Sequence, residues 1–254
     1  MHSDLRYVPD VGILKKYRDD YYRLIHCFCL RNSGADMKPA KKGSAGNTEK
    51  LEQSLVRTKR TVHEIALCND WDYMVTLTLN AQKYDRYNLK LFIKDLGKFL
   101  NNYNYQKKTT IKYMLIPEEH EDGAWHMHGF FFGIPENHLC HFIPGVHPQK
   151  LIDEGYLNWV AYEKKFGFCS LGRIRDAERS AAYITKYITK HLRHTSIEVN
   201  CRMFYASQGL RRAEVVRKDH IACEIDADFK NDYVAIKRLH SLDESNKYFY
   251  NEEN

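Results

Sequence analysis

The chain has 254 residues, of which 43% are hydrophobic, 28% charged and 13% aromatic. This balance excludes collagen-like, disordered and low-complexity chains, and the length allows one large domain or one domain with an extension. Lys and Arg number 39 against 33 Asp and Glu, a formal charge of +6, which is too modest an excess to prove a nucleic-acid partner. The seven cysteines are scattered and odd in number, which favours reduced thiols over a disulfide framework.

The chain begins with an extension ahead of the core. Residues 1–48 are predicted to hold a short amphipathic helix within 1–30 and a flexible linker at 31–48, which is rich in Gly, Ser, Pro and Lys. A lead-in helix is expected from about Glu49 to Leu67. No apolar signal segment opens the chain, and no window approaches roughly 18 consecutive apolar residues. We therefore expect a soluble, cytoplasmic protein with no membrane partner.

The core pattern begins at residue 71, where 71–79 alternates as a half-buried strand does. Further strands are predicted at 109–117, 126–133 and 166–174, with two or three more at 201–206, 212–218 and 220–226. Helices are predicted at 88–100 and 176–192, the second with Asp176 as its N-cap.

This order of elements predicts an α+β fold with a central antiparallel sheet and flanking helices. The predicted domain covers residues 49–226, including the lead-in helix. Residues 227–254 are expected to form a polar C-terminal tail.

Two histidines, His126 and His128, stand two residues apart in the third strand of the predicted core. Side chains at i and i+2 project from one face of a strand, so both imidazoles point together. Two imidazoles and a carboxylate form a ligand set that divalent cations accept. If Glu121–Gly123 is a three-residue loop with a left-handed glycine, Glu118 lies opposite His126, whereas a two-residue turn would place Glu119 there. We favour Glu118; two partly buried histidines without a metal are the alternative.

The second core helix carries the tetrapeptide Tyr-Ile-Thr-Lys twice in succession. At about 100° per residue, one face holds two phenols and two ammonium groups next to Arg179: Tyr183, Lys186, Tyr187 and Lys190. A separate face is apolar and suited to packing on the sheet: Ala181, Ile184, Ile188 and Leu192. Cations stabilise a phenolate, so the first face suits two successive phosphoryl transfers. The alternative is a structural helix whose lysines extend to solvent.

Three motifs in chain order, at 76–79, 126–128 and 183–190, resemble those of the HUH endonuclease superfamily. The pair of tyrosines is similar to the rolling-circle replication initiators (Rep proteins) of phages and plasmids, specifically those of small single-stranded DNA phages. The resemblance spans about residues 71–192 and extends to 207–210. Each motif alone is weak, whereas three in this order at domain-sized spacing are specific.

The resemblance implies an antiparallel sheet, related to the ferredoxin-like split βαβ arrangement, with the histidines on its central strand and 76–79 as a structural strand beside the site. It implies a site for Mg²⁺ or Mn²⁺ with three ligands: His126, His128 and Glu118. It implies two nucleophiles and two assisting cations: Tyr183, Tyr187, Lys186 and Lys190. The implied activity is site-specific nicking and joining of single-stranded DNA through a 5′-phosphotyrosine intermediate.

Basic residues on and after the tyrosine helix are expected to contact DNA phosphates: Arg173, Arg175, Arg179, Arg193, Arg202, Arg211 and Arg212. The expected partner is single-stranded DNA at a replication origin, in a stem-loop, within a bacterial host cell. The length leaves no room for a helicase domain beside the nuclease, and no phosphate-binding P-loop motif occurs. Host helicase and host polymerase are therefore expected partners.

Four other functions are compatible with these residues. A plasmid mobilisation relaxase would share the chemistry but nick for transfer. A single-tyrosine transposase of the same superfamily would leave the second tyrosine unexplained. A non-catalytic DNA-binding repressor would keep the fold alone, and a metal phosphoesterase would use water in place of tyrosine.

Overall fold

The computed structural model describes the backbone of residues 7–31, 48–194 and 202–250, and the side chains within 7–30, 54–188 and 202–250. The chain divides into two compact units, one of residues 1–42 with 211–254 and one of residues 43–210. The sequence places domain boundaries at 48 and 226 instead, because nothing in its pattern reveals that the two ends of the chain share one sheet.

The strands and helices, numbered in chain order, are as follows. The strands are β1 (Tyr7–Arg18), β2 (Tyr21–Arg31), β3 (Tyr73–Thr78), β4 (Lys112–Glu119), β5 (Trp125–Phe132), β6 (Leu139–His141), β7 (Leu157–Trp159), β8 (Cys169–Arg173), β9 (Tyr205–Ala206), β10 (Glu214–His220), β11 (Phe229–Lys230) and β12 (Val234–Leu239). The helices are α1 (Thr48–Cys68), α2 (Leu89–Lys107), α3 (Gln149–Asp153), α4 (Val160–Lys165) and α5 (Ala177–His194). No helix in these described ranges is long and apolar enough to cross a membrane.

The first unit is a five-stranded sheet in the order β10-β1-β2-β12-β11. The predicted helix within residues 1–30 is wrong, because β1 and β2 form a hairpin there. Val11, Leu14 and Tyr17 are buried, and their spacing of three resembles a helical stripe. Irregular pairing at Leu14/Lys15 and Lys16/Arg18 shifts the strand alternation, so buried positions fall three apart in a strand.

The predicted polar tail is also wrong in part, because β12 lies within residues 227–254 and pairs with β2. Its Ala235 and Leu239 are buried and help to cover the hydrophobic core of the first unit. The strand predicted at 220–226 is wrong as well: Ile221 makes an isolated bridge with Phe249.

The second unit contains a seven-stranded sheet in the order β6-β7-β8-β3-β5-β4-β9. All of its pairings are antiparallel, which confirms the predicted α+β class with a central antiparallel sheet and flanking helices. Strand β5 lies between β3 and β4, and it comes so close to β4 at Gly129 that an added Cβ would lie 1.9 Å from the carbonyl oxygen of Met114.

Strands β3 and β5 alternate between the two faces of this sheet. One face is apolar and packs on α2; its buried strand residues are Tyr73, Val75, Leu77, Met127 and Phe131. The intervening residues of the two strands project to the opposite face, where α5 lies against β5. The candidate site is on that second face.

Candidate functional site

The hairpin between β4 and β5 has the register that the sequence predicts. Gly123 has a φ of 80°, the left-handed conformation that a three-residue loop requires at this position. The amide of His120 donates to the carbonyl of Ala124 at 2.9 Å, and Glu118 pairs with His126 across the strands. The alternative register, with Glu119 opposite His126, is wrong.

The carboxylate of Glu118 contacts the diagonal histidine, His128. Its Oε2 lies 2.6 Å from Nε2 of His128, and both residues are buried, with 4% and 9% exposure. The ring nitrogen is nevertheless not aligned for a hydrogen bond, and in the described residues it has no hydrogen-bond partner. A buried nitrogen without such a bond is unfavourable unless another group satisfies it.

Two threonines of β3 hold the other nitrogens of the two imidazoles. Thr76 is paired with His128 and Thr78 with His126, and the distances from Oγ1 to Nδ1 are 3.2 Å and 3.3 Å, respectively. If Nδ1 donates to the threonine, Nε2 keeps its lone pair. The sequence predicts residues 76–79 only as a structural strand. The two threonines are two residues apart, as are the two histidines, and this matching spacing could have indicated that they pair.

His120 is a further residue of the site to which the sequence assigns no role. Its ring stacks on that of His126 with centroids 3.8 Å apart. His120 follows Glu118 by two residues and therefore lies on the same face of the hairpin. The sequence pattern of the hairpin could thus have placed His120 at the site. Burial, followed by the charges of His120 and His128, lowers the pKa of His126 to about 4.

Helix α5 presents the predicted apolar face to the protein interior. Ala181, Ile184 and Ile188 are buried, with exposures of 0%, 0% and 1%; the side chain of Leu192 lies outside the described residues. The carboxylate of Asp176 accepts the amide of Arg179 at 2.9 Å, which confirms Asp176 as the N-cap.

The two tyrosines of α5 differ in their surroundings. The ring of Tyr187 stacks on that of His128, with centroids 4.0 Å apart and planes 12° apart. Tyr183 lies farther out, with 40% exposure, and its hydroxyl is 3.0 Å from that of Tyr187. Burial, and then the hydrogen bond with Tyr183, raises the pKa of Tyr187. The helix therefore brings a hydrogen-bonded pair of phenols against the histidine strand.

Two further groups lie near the phenols. The Nζ of Lys186 is 5.4 Å from the ring centroid of Tyr183, a distance at which a cation is attracted to the ring face. Tyr156 was missed by the sequence analysis, and its proximity depends on tertiary packing that no local pattern reveals. Burial, followed by the charges of Glu154 and Tyr183, raises the pKa of Tyr156.

Three of the arginines expected to contact DNA lie on or just before α5. Arg173, Arg175 and Arg179 are exposed, but Arg173 already donates to Glu136 at 2.6 Å. Arg179 lies four residues before Tyr183, so the two share one helix face. Arg179 is therefore the arginine of this group placed beside the phenols.

The remaining predicted cations are divided between the two units and the part of the chain whose side chains the structure does not describe. Arg202 is exposed in the second unit, whereas Arg211 and Arg212 are exposed in the first unit. The side chains of Lys190 and Arg193 lie outside the described residues. Their predicted roles stay predictions.

The donor types at the hairpin fit a divalent cation, although a complete ligand set is not assembled. In the part of the chain that the structure describes, no three His, Cys, Asp or Glu side chains are grouped so as to hold a metal ion. The observation that favours a metal is the buried Nε2 of His128, which lacks a hydrogen bond while a carboxylate oxygen lies beside it. Imidazole and carboxylate ligands suit a divalent ion that binds phosphate.

A comparison with protein-family models matches residues 72–192 to the replication-associated protein ORF2 family. Over residues 72–192 the chain is similar to this Rep-type family. The matched segment runs from β3 into α5 and contains the threonines, histidines and tyrosines of the candidate site. Neither the curated proteins nor the solved structures include a match to the chain. The match associates the protein with replication.

Proposed function

We propose that the protein initiates rolling-circle DNA replication by nicking single-stranded origin DNA with a tyrosine and later rejoining it. The observation that carries this proposal is the pair of phenols, whose hydroxyls are 3.0 Å apart. Tyr187 of this pair stacks on His128, beside the buried carboxylate of Glu118. A repressor that only binds DNA has no need of such a constellation.

In the proposed reaction a phenol oxygen of α5 attacks a DNA phosphorus in line. The new bond joins that oxygen to phosphorus, and the bond from phosphorus to the 3′ oxygen breaks. The leaving oxygen takes a proton and becomes a free 3′-hydroxyl, which primes synthesis. The products are thus a 5′-phosphotyrosine and a primer end, and attack by a 3′-hydroxyl on the phosphotyrosine reverses the step without an external energy source.

His126, His128 and Glu118 would hold Mg²⁺ or Mn²⁺, which when bound neutralises phosphate charge and positions the scissile group. Thr76 and Thr78 orient the two imidazoles so that Nε2 of each ring faces away from β3.

The cations and the paired hydroxyls support the two transfers. Lys186 lies over the ring of Tyr183, with its Nζ 5.4 Å from the ring centroid, and would attract the phosphate that Tyr183 attacks. The two hydroxyls share a hydrogen bond, which orients the attacking phenol, and its proton passes to water as the oxygen attacks. The second phenol is then placed for the strand-joining transfer. Lys190 is proposed to assist in the same way.

Origin DNA in a stem-loop would supply the single strand, and the host would supply helicase and polymerase. The arginines beside α5 would contact the phosphates on either side of the cut, with Arg179 nearest to the phenols. This contact predicts an affinity that falls as salt rises.

The test is covalent capture of DNA by the full chain. The protein is incubated with labelled origin single strands and Mn²⁺, and adducts are separated on denaturing gels. We expect an adduct with the wild type, none with Tyr183→Phe/Tyr187→Phe, and an adduct without strand joining in each single variant. An exposed phenol elsewhere, Tyr233→Phe, is the matched control and keeps full activity, because Tyr233 is 76% exposed and belongs to neither proposed surface.

The outcomes also separate the competing functions. An adduct that persists in the double variant contradicts the proposal. DNA binding without cleavage would identify a repressor, and cleavage without an adduct would identify a hydrolase that uses water. Cleavage and joining at a transfer origin, with no activity at a replication origin, would identify a mobilisation relaxase.

A further inference from the structure

Helix α2 has an exposed face that the candidate site does not use. Its packed face contributes Phe92, Leu96, Leu100 and Tyr103 to the core. At about 100° per residue, the opposite side carries five exposed residues within about 80° of one another, which we name the α2 stripe: Lys90, Lys94, Lys98, Asn101 and Tyr105. Tyr105 is 88% exposed, which is unusual for a large aromatic side chain unless it has a partner.

The charge of the α2 stripe is uncompensated. Lys90, Lys94 and Lys98 follow one another at intervals of four residues, where like charges repel and destabilise a helix. The one acidic residue of α2, Asp95, lies on another side and accepts the hydroxyl of Tyr84 at 2.8 Å. Within the described residues no ion pair or hydrogen bond engages the three lysines. The stripe therefore weakens the helix unless an anion binds there.

Gly97 lies beside the α2 stripe in the middle of the helix. A Cβ built on it would have no heavy atom within 4 Å, so neither packing nor a left-handed backbone explains the glycine. Glycine destabilises a helix interior relative to alanine. A small residue here gives a ligand close access to the helix backbone between lysine side chains. Gly97 is thus a second feature of α2, after the row of lysines, that the stability of the helix does not explain.

The N-terminal end of the α2 stripe lies near the histidine strand. The carbonyl of Arg86, four residues before Lys90, accepts the amide of Trp125 at 2.9 Å. Trp125 directly precedes His126, and the Arg86 guanidinium also pairs with Asp122 in the hairpin loop at 2.5 Å. A chain bound along α2 would therefore lead to or from the end of β5 that carries the site.

We propose that the α2 stripe binds the phosphodiester backbone of single-stranded DNA that leads to or from the site, as a surface separate from the arginines beside α5. Successive lysines are about 6 Å apart along the axis, and the stripe is about 22 Å long, which suits a row of several phosphates. Tyr105 offers a ring on which a base can stack. α2 packs on the sheet face opposite α5, so the stripe holds DNA outside the cleavage site. The choice of DNA as the polyanion rests on the proposed function.

Equilibrium binding of the full chain to DNA tests this surface. The probes are a labelled mixed-sequence single strand of about 20 nucleotides and a duplex of the same length, followed by anisotropy at increasing NaCl concentrations. The test variant is Lys90→Gln/Lys94→Gln/Lys98→Gln. The control, Lys107→Gln/Lys150→Gln/Lys164→Gln, removes the same charge from exposed positions off the stripe.

We expect the stripe variant to bind the single strand at least about tenfold more weakly at low salt. Loss of three phosphate contacts also reduces the slope of log K against log salt by about 2. The control stays within about twofold of the wild type. Equal behaviour of the two variants overturns the proposal and leaves an acidic protein as the partner of the stripe. A loss seen with the duplex but not the single strand overturns the assignment to a single strand entering the site.

Covalent capture on a short origin oligonucleotide keeps this proposal separate from the proposed function. If the wild type forms no adduct while the stripe variant still binds DNA poorly, the nicking function fails and the DNA surface stands. If the wild type forms the adduct while the stripe variant binds like the control, the surface fails and the nicking function stands.

Discussion

The two faces of the seven-stranded sheet are built by the same strands and have opposite chemistry. On the α2 face, β3 and β5 contribute Val75, Leu77 and Phe131 to a continuous apolar core. On the α5 face, the same strands contribute two threonine–histidine pairs next to apolar side chains such as the buried Phe130. Because neighbouring residues of a strand project to opposite sides, the apolar face fixes the position of β3 against β5. The threonine–histidine pairs, which we call the polar face, are then held in register by the strands around them.

The core on the α2 face should therefore contribute strongly to stability, and Phe131→Ala tests this with the largest expected effect. Phe131 is 0% exposed, and removal of a buried phenyl ring costs about 3–5 kcal/mol. The matched control is the next residue, Phe132→Ala, because Phe132 is 38% exposed and should lose less than about 1 kcal/mol. Urea unfolding measures both.

Activity measured per folded molecule should be unchanged in Phe131→Ala, since that side chain lies on the face opposite the phenols. Equal destabilisation by the two alanine variants would contradict the assignment of the core to the α2 face. A large loss of adduct formation in the folded fraction would contradict the separation of the two faces.

On the polar face, activity should fall more than stability. Thr76→Val and Thr78→Val test this. Valine keeps the shape of threonine but removes the oxygen near the Nδ1 of His128 or His126. Loss of a residue that orients a metal-binding histidine typically lowers metal affinity or activity about 10–100-fold, so the rate of adduct formation should fall by that factor in each variant. The free energy of unfolding should fall by about 1–3 kcal/mol, because a ring nitrogen loses its partner, and this is less than in Phe131→Ala.

A threonine of α5 supplies the control for these two variants. The hydroxyl of Thr185 donates to the carbonyl of Ala182 at 2.8 Å, a bond within the helix itself. Thr185→Val should therefore leave adduct formation within about twofold of the wild type. If Thr76→Val and Thr78→Val lose no more activity than Thr185→Val, the threonines serve only as strand residues.

The sequence predicts the second unit far better than the first, for physical reasons. In β3, β5 and α5 the alternation of buried and exposed residues is regular, so the sheet, the hairpin register and the tyrosine face follow from local pattern. In β1 the irregular pairing near Leu14 and Lys16 breaks that regularity, and the pattern is mistaken for a helix. The pairing of β12 with β2 joins distant parts of the chain, and no local signal encodes it.

Within the candidate site, too, the sequence does not reveal which strands are neighbours. Glu118 and the two histidines lie on one hairpin, whose loop fixes their relation. Thr76 and Thr78 become partners of the histidines only because β3 lies beside β5 in the sheet, a neighbour relation that the sequence does not determine. Tyr156 enters for a similar reason, since its position near Tyr183 depends on the packing of an irregular segment against α5.

The last expected effect is a pH dependence of stability that arises from His126. Burial, then the charges of His120 and His128, lowers the pKa of His126 from 6.5 to about 4. As pH falls below about 6.5 the unfolded chain binds a proton at this residue, whereas the folded protein does not until about pH 4. The unfolded state thus holds more protons in this window, so stability present above pH 6.5 should be lost progressively as the pH falls toward 4.

Urea unfolding between about pH 7 and pH 4, with a chelator present to exclude metal ions, measures this dependence. His126→Gln should reduce the slope of stability against pH, because the substituted side chain binds no proton in either state. His141→Gln, at an exposed position, is the matched control and should leave the slope nearly unchanged. Equal slopes in the wild type and His126→Gln would mean that His126 accepts its proton as readily in the folded protein as in the unfolded chain. The polar face would then be more open to water than the stacking of His120 on His126 implies.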